Sequence, residues 1–417
     1  MTSQHAPIAP SGLTLTVHCP ASVGLQASVI PLPPTDEELE GTAAHWIAMQ
    51  YAAGYAVNWP VGSKFKSGGR EWEVDIDMVV GATMYANACG GVHPHLRLED
   101  AVRISRIHPE HCYGTPDAWR YFTDAREALT AVFNGSAWEV PRDFPLDRFN
   151  EGKLKLVRVV DFKYGHRYVE VFGNYQLVGY ASGVMERLEL TDNDPDLWLE
   201  LVLVQPRCYH RDGPVRRWII PAHELRAYLN RAASAAREAL GEGNTLLDGK
   251  PRAITNEHCI DCKARHVCKT LLYGTSAVVQ FSTAPEVVEL PPEAMGQELA
   301  ILDDAIELLK ARRTGVAARA EAYIRAGTPV AYYHLEPGES RMVYKDDVDV
   351  DEFVGFGDLV GVDVRKKQTK KDMLVTPTQA IQLGIDEGAM KSYAHRPPAA
   401  LKLARDKLIT ARKVFSK

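Results

Sequence analysis

The spacing Cys259-x2-Cys262-x5-Cys268 puts three thiols within ten residues. If the chain turns tightly there, the three sulfurs converge on one centre. Thiolate sulfur suits zinc or an iron–sulfur cluster, and both normally take four ligands. The fold must then bring a fourth ligand from elsewhere. Cys19, in His18-Cys19-Pro20, fits that place best by pattern, with Cys89, Cys112 and Cys208 as alternatives. His258 and His266 flank the group and keep zinc open, because imidazole is a good zinc ligand. Spacing alone does not separate the two metals.

The setting favours ligands over disulfides. Seven is an odd number of cysteines. The first residues lack the basic-then-apolar pattern of a signal peptide, and no stretch approaches the roughly 18 apolar residues that span a bilayer. A cytoplasmic, reducing environment is expected, where clustered cysteines bind metal or catalyse. The 417 residues suggest two or three domains. With 46% hydrophobic and 24% charged residues the chain can bury a large core without disulfides. Default disorder, a collagen-like chain and a disulfide scaffold are excluded.

Charge is unevenly spread. Residues 361–417 hold thirteen Lys/Arg and five Asp/Glu, so a +8 tail follows a −14 body within a total of −6. A basic tail of this kind is a candidate polyanion contact.

The expected elements run as follows. Residues 1–34 are irregular. Thr35 caps a helix that opens at Asp36, with Trp46, Met49 and Ala53 on one face. A second helix covers 71–90, and 99–107 and 112–122 are strands. A long insertion fills about 121–152. Leu154–Phe162 is a buried strand, Tyr175–Leu188 a helix with Leu177, Tyr180 and Met185 near one face, and Leu197–Gln205 another apolar strand. A helix covers 221–240, with Pro221 in its first turn, Gly241 at its end and Leu225, Leu229, Ala232, Ala236 and Leu240 as its stripe. A linker spans 275–292. A long helix at 294–326 carries Met295, Leu299, Leu302, Ile306 and Leu309 as a packing seam. A hairpin turns around Glu336-Pro337-Gly338-Glu339, before the tail. This divides the chain into a core at 1–274, the linker at 275–292 and an extension at 293–417.

A second signal is acidic. Gly114-Thr115-Pro116-Asp117 is followed 44 residues later by Asp161-Phe162-Lys163. Residues i and i+2 of a strand point the same way, so Asp161 and Lys163 project together. Asp117 on a neighbouring strand can meet Asp161. Two carboxylates make a hard-oxygen site for Mg²⁺ or Mn²⁺, and a lysine beside them steadies developing negative charge. Phosphodiester hydrolysis needs such a set. The plainer reading of Asp-x-Lys is a solvated salt bridge; the apolar run before it argues otherwise. Glu40-Gly41-Thr42-Ala43-Ala44-His45 offers a carboxylate and an imidazole on the first long helix. Asn174-Tyr175-Gln176-x3-Tyr180 sets Gln176 and Tyr180 on one helix face. His93, His95, His108 and His111 read as loop histidines, and Cys89, Cys112 and Cys208 as buried thiols. No G-x-S-x-G or Walker-type motif supports an esterase or a P-loop ATPase.

In this order the pieces resemble the PD-(D/E)XK nuclease superfamily in its RecB-like branch: Gly-Thr-x-x-His, Gly-Thr-x-Asp, Asp-x-Lys, then Gln-x3-Tyr. One cysteine before the core and three after it resemble the iron–sulfur subset, which includes AddB-type and CRISPR-associated RecB-like exonucleases. From about 12 to 410 the chain is also similar to a phage and prophage family of unknown function in this superfamily. That similarity lies in Cys19-Pro20-Ala21-Ser22, Glu40–His45, His108-Pro109-Glu110, Val204-Gln205-Pro206-Arg207 and Leu374–Gln379.

The resemblance implies an α/β fold with a restriction-endonuclease-like core. Its mixed central sheet is flanked by helices, closed by an iron–sulfur subdomain and followed by an α-rich C-terminal extension. It implies that His45, Asp117, Asp161 and the Phe162 carbonyl bind the metal, that Lys163 is the catalytic lysine, and that Gln176 and Tyr180 support the site. It implies that Cys19, Cys259, Cys262 and Cys268 hold a 4Fe–4S cluster, with zinc as the alternative. The expected activity is metal-dependent DNA exonuclease action in phage recombination, repair or processing. Arg207 and the tail's Lys366, Lys367, Lys370 and Lys371 would touch DNA. Expected partners are DNA and a phage single-strand annealing or binding protein or a helicase, with no membrane and with an oligomer allowed. The alternative is a non-catalytic DNA-binding or recombination scaffold with a structural metal. Asp161 stands where Glu is commoner, and His166 stands where a compact residue is expected.

Overall fold

A computed structural model describes residues 6–124, 126–128, 130, 141, 144–145, 151–242, 249–281, 292–337, 343–345, 348–365, 376–396 and 401–405. The chain divides into two compact units, Met1–Gly315 and Val316–Lys417. The division falls inside a helix, Pro292–Arg325, and not in the expected linker. Residues 275–281 of that stretch complete a helix, Lys269–Phe281, and 282–291 lie outside the described residues.

The first unit holds a hairpin of β1 (Lys64–Ser67) and β2 (Arg70–Glu73) and a short pair, β4 (Val102–Arg103) and β5 (Tyr113–Gly114). Its central sheet is built from β3 (Leu96–Leu98), β6 (Ala118–Phe122), β7 (Lys155–Phe162), β8 (Leu197–Val204) and β9 (Val215–Pro221), in the order β3-β6-β7-β8-β9. Strands β7 and β8 are parallel and every other pairing in the sheet is antiparallel. The two parallel strands are apolar and buried along nearly their whole length, as strands covered on both faces must be.

The helices of this unit are α1 (Leu13–His18), α2 (Ser22–Ala27), α3 (Asp36–Ala52), α4 (Ile76–Ala88), α5 (Tyr175–Arg187), α6 (Leu225–Ala239), α7 (Lys269–Phe281) and the start of α8 (Pro292–Arg325). Helix α5 makes the crossover between β7 and β8. It lies with α1 and α6 over Val157, Val159, Leu199 and Leu201. Helices α3 and α4 cover the other face at Val160, Phe162, Val202 and Val204. Alternation along β7 therefore points Asp161 towards α5 and Phe162 towards α3 and α4.

A charged row crosses this buried sheet. Glu200 is fully buried and accepts from Arg158 Nε and Arg217 Nη1, each at 2.7 Å. Arg158 Nη1 also donates to the Ala88 carbonyl at the end of α4. Deleting the shared carboxylate leaves two guanidinium groups buried without it. Glu200→Ala should therefore cost about 3–5 kcal/mol, measured as a drop in the urea midpoint. An unchanged midpoint would mean that the row carries no stability.

Several expected elements differ. The N-terminal stretch is not irregular: α1 and α2 occupy it. Thr35 caps α3 in a full capping box, but the buried face is Ile47 with Ala43, Ala44, Ala48 and Ala52, four alanines that let α4 approach. Trp46 meets Trp59 edge-on and stacks on Phe65. Residues 71–73 belong to β2, and α4 occupies only 76–88 of the expected second helix. The stretches 99–107 and 112–122 break into the short β4, β5 and β6. Pro221 does not open a helix; it ends the edge strand β9, where a missing N–H costs nothing, and a short 3₁₀ turn leads into α6. The expected seam of α8 is turned outward: Met295, Leu299, Leu302 and Ile306 are exposed, and Ala305 and Ala311 are buried instead. Most of the insertion lies outside the described residues. Its Ala128 and Phe144 join a small core with Leu156 and Trp198.

The second unit contains α9 (Val350–Leu359), α10 (Pro377–Leu383) and α11 (Glu387–Met390) around Phe353, Val364, Ala380 and Met390. Strand β10 (Tyr333–Pro337) pairs with β13 (Leu401–Arg405), and β11 (Val343–Tyr344) with β12 (Ala394–His395). Of the hairpin expected around 336–339, Glu336 and Pro337 belong to β10 and pair with β13, and Gly338 and Glu339 lie outside the described residues. Thr376 and Gln379 form a reciprocal capping box with Pro377 between them, so this motif starts a helix.

Candidate functional site

The register builds the acidic centre. Ala118 stands opposite Val160, so the next step puts Asp117 beside Asp161 at the end of β7. Asp117 Oδ2 accepts from the Phe162 amide at 2.7 Å and lies 3.7 Å from His45 Nδ1. The His45 ring donates to the Phe162 carbonyl and meets the Phe162 ring edge-on at 5.1 Å. The turn before Asp117 needs Gly114: a Cβ there would lie 2.8 Å from Pro10 and 3.1 Å from Tyr180.

Asn174 caps α5 and fixes its first turn. Gln176 then reaches back to the strand. Its Nε2 donates to Asp161 Oδ1 at 2.8 Å, and its Oε1 accepts from Lys163 Nζ at 3.1 Å. Tyr180, one turn on, shares a hydrogen bond with Gln176. Lys163 Nζ lies 3.2 Å from Asp161 Oδ1 and 3.0 Å from Oδ2. The second contact is too poorly angled to be a hydrogen bond, so Oδ2 is buried with no hydrogen-bond partner.

Burial, then the nearby Asp161 carboxylate, pushes the Asp117 carboxyl well above its ordinary range. Burial lowers the His45 imidazole. For Lys163, burial works downward, but Asp161 and Asp117 outweigh it and hold the ammonium above its usual value. The lysine is therefore a fixed positive charge. A buried carboxyl raised beside a second carboxylate, and one orphaned oxygen, are what a cation would relieve. The residues fit a hard divalent ion. Among the described residues no three His, Cys, Asp or Glu close on a common point as they stand. The carboxylates are drawn instead to the Phe162 amide, Gln176 and Lys163.

The four cysteines of the sequence pattern lie near enough to act on one another's charge, but no three of them close on a common point as they stand. Cys262 feels Cys19, Cys259 and Cys268 electrostatically, and Cys19 feels Cys268. Backbone amides of Ile254, Asn256 and Leu271 point at the sulfurs of Cys19, Cys259 and Cys268, at 3.4, 3.4 and 3.5 Å. Burial raises Cys19 and Cys259 and pushes Cys262 to about 11. Backbone donors aimed at sulfur suit a bound cationic centre, as does the neighbouring-thiol contribution that helps raise Cys19, Cys259 and Cys262. Cys89, Cys112 and Cys208 are buried elsewhere, and burial pushes Cys89 and Cys112 to about 12. Asn256, which sequence reasoning missed, anchors the loop. Its side chain accepts from the His258 amide and donates to the His18 carbonyl at 3.2 Å. An Asn just before the cysteine run was the available cap signal.

Residues 153–390 match the profile of a family described as a protein of unknown function, DUF2800, over more than half of the chain. The chain belongs to this family. No curated protein matches it. The DUF2800 span includes Asp161, Lys163, Gln176, Tyr180, Arg207, Cys259, Cys262 and Cys268. Cys19, His45 and Asp117 precede it, so both residue groups of this DUF2800 chain draw on the segment before the matched span.

Other expected residues have other neighbours. Arg207 Nη1 pairs with Glu40 at 2.8 Å, and its guanidinium lies 4.7 Å above the Tyr164 ring. Glu40 thus faces arginine rather than the carboxylates. His166 fits its turn by contacting the Arg207 carbonyl at 3.0 Å and Arg207 Nη2 at 2.8 Å. His108 Nδ1 accepts from the Glu110 and His111 amides, and the ring reaches Glu242, so it braces a loop. His93 lies 3.5 Å from Glu127. Lys366, Lys367, Lys370 and Lys371 lie outside the described residues. Among the described residues no helix is long and apolar enough to cross a membrane.

Proposed function

We propose that this chain is a divalent-metal-dependent deoxyribonuclease, an exonuclease of phage or prophage DNA recombination, repair or processing in the bacterial cytoplasm. In this reading it is a PD-(D/E)XK enzyme of the RecB-like iron–sulfur branch. The carrying observation is the buried Asp161 Oδ2, which has no hydrogen-bond partner, with the Lys163 ammonium 3.0 Å from it and Asp117 one register step away on the neighbouring strand, itself 3.7 Å from His45.

His45, Asp117, Asp161 and the Phe162 carbonyl would hold Mg²⁺ or Mn²⁺. Such an ion, when bound, activates water and screens phosphate charge. Gln176 locks Asp161 and Lys163 in register. The Lys163 ammonium is placed to neutralise charge that develops on the phosphate oxygens. Tyr180 backs Gln176. Cys19, Cys259, Cys262 and Cys268 would hold a 4Fe–4S cluster, or zinc, that ties the N-terminal segment to the end of the core. The tail lysines and a helicase or single-strand annealing protein complete the reading as DNA contacts and partners.

Metal withdrawal tests it. Purified protein should degrade labelled linear DNA with Mg²⁺ or Mn²⁺, stop with EDTA and resume when the ion is restored. Intact DNA under every divalent metal tried would remove the enzyme reading.

A further inference from the structure

The apolar seam of α8 faces outward in a strict order. Met295, Leu299, Leu302, Ile306 and Leu309 follow one another at intervals of four, three, four and three residues. Leu299 is 61% exposed, Met295, Leu302 and Ile306 are exposed, and Leu309 is half-buried. Alternating fours and threes average 3.5 residues, the repeat that keeps two helices on one shared seam. A helix that only covers a core carries a wider and looser stripe.

Another face of α8 is already committed. Ala305 and Ala311 are buried, and Leu308 packs with Cys259, Cys268 and Leu271. Arg312 Nη1 donates to the Arg265 carbonyl at 3.1 Å and to the His266 carbonyl. A Cβ at Gly315 would lie 2.5 Å from Arg265 Cγ and 3.1 Å from the His266 amide nitrogen. These residues lie about a third of a turn round the helix from the seam. They seat α8 on the cysteine loop, so the seam does not turn inward unless they are undone.

Charge along the same helix says what fits the seam. Residues 298–307 carry Glu298, Asp303, Asp304 and Glu307 and no Lys or Arg. Residues 310–313 carry Lys310, Arg312 and Arg313 and no acid. Asp303 and Lys310 are seven residues apart and flank the seam on one side. A second α8 turned end for end therefore brings its basic part to the acidic part of the first.

We infer that the seam of α8 is the docking face for a second copy of this chain, joined as an antiparallel two-helix coiled coil. With the two-fold axis between Glu307 and Leu308, Ile306 meets Leu309 of the second copy. Leu302 then covers the aliphatic stem of Arg313, and Asp303 faces Lys310. Symmetry makes each of these contacts twice. A parallel pair would set Glu298 against Asp303 and Arg313 against Arg313, like charge against like. The charge order thus selects both the occupant and its direction. The pairing does not depend on the nuclease reading.

Sedimentation equilibrium of the full-length protein, from micromolar to tens of micromolar, tests the pairing. The wild type should approach twice the chain mass as concentration rises. Leu302→Glu and Ile306→Glu change exposed positions, so each should keep an unshifted circular dichroism spectrum. Each should weaken the dimer by about 100-fold. Asp303→Lys should weaken it by about tenfold, and adding Lys310→Asp should restore it, because the exchanged charges meet again across the axis. A wild type that stays monomeric, or a dimer indifferent to Leu302→Glu and Ile306→Glu, would overturn the second copy as occupant. A monomer whose thermal midpoint falls with Leu302→Glu would overturn it too, and give the seam to another segment of the same chain. A dimer tightened by Asp303→Lys would overturn the antiparallel direction.

Discussion

Asp161→Asn should lower DNA cleavage by about 10³-fold or more in the proposed nuclease, because it removes charge where metal and phosphate would meet. The carboxylate sits 1% exposed at the end of β7, held by Gln176 and Lys163. Asparagine has nearly the same shape and can still contact Gln176, so the fold should survive with an unshifted circular dichroism spectrum. Mn²⁺ affinity, read by titration calorimetry, should fall in parallel with cleavage. A variant that cleaves normally, or that binds Mn²⁺ as the wild type does, would place the metal elsewhere. Gln176→Ala offers a graded companion. It leaves the charge but frees Asp161 and Lys163 to move, so a smaller loss of about 10–100-fold is expected.

Cys19→Ala should remove the metal centre of the cysteine group. The four thiols come from two segments far apart in sequence, and Cys19 alone supplies the N-terminal side. Anaerobically purified wild type should be brown and contain iron and sulfide; Cys19→Ala should be colourless. The thermal midpoint should fall by about 10 °C, since a lost structural centre costs several kcal/mol. Cys208→Ala, a buried thiol outside the group, should keep the colour. A brown Cys19→Ala protein would give the fourth place to another residue. A colourless wild type with bound zinc would replace the cluster by zinc and keep the ligand set.

The placement of Asp161 beside Lys163 is legible in the sequence for a physical reason. Asp161 and Lys163 follow an apolar run, and two-residue periodicity alone puts them on one side. Asp117 was harder, because its position beside Asp161 depends on register between β6 and β7. A Gly-Thr-x-Asp pattern supplied that only through resemblance. The strands β7 and β8 were readable as continuous apolar runs. Strand β9 was not, because Arg216 and Arg217 interrupt it, and their burial makes sense only once Gln205 and Glu200 are in place. The outward seam of α8 shows the opposite limit. Apolar residues at helical spacing mark a face, but they do not say whether the same chain covers it. Glu40 likewise looked like a second acid near His45, yet its partner Arg207 lies more than 160 residues on. Long-range ion pairs of this kind leave no local trace.

The central claim is that the centre at the end of β7 hydrolyses DNA with a divalent ion and one fixed positive charge. It is tested most directly by the initial rate of nucleotide release from end-labelled linear DNA in Mn²⁺, for the wild type and for Lys163→Ala side by side. The wild type should degrade the DNA, and the variant, folded and still able to bind Mn²⁺, should be slower by about 10²–10³-fold. Equal rates for the two proteins, or no release by the wild type, would contradict the account.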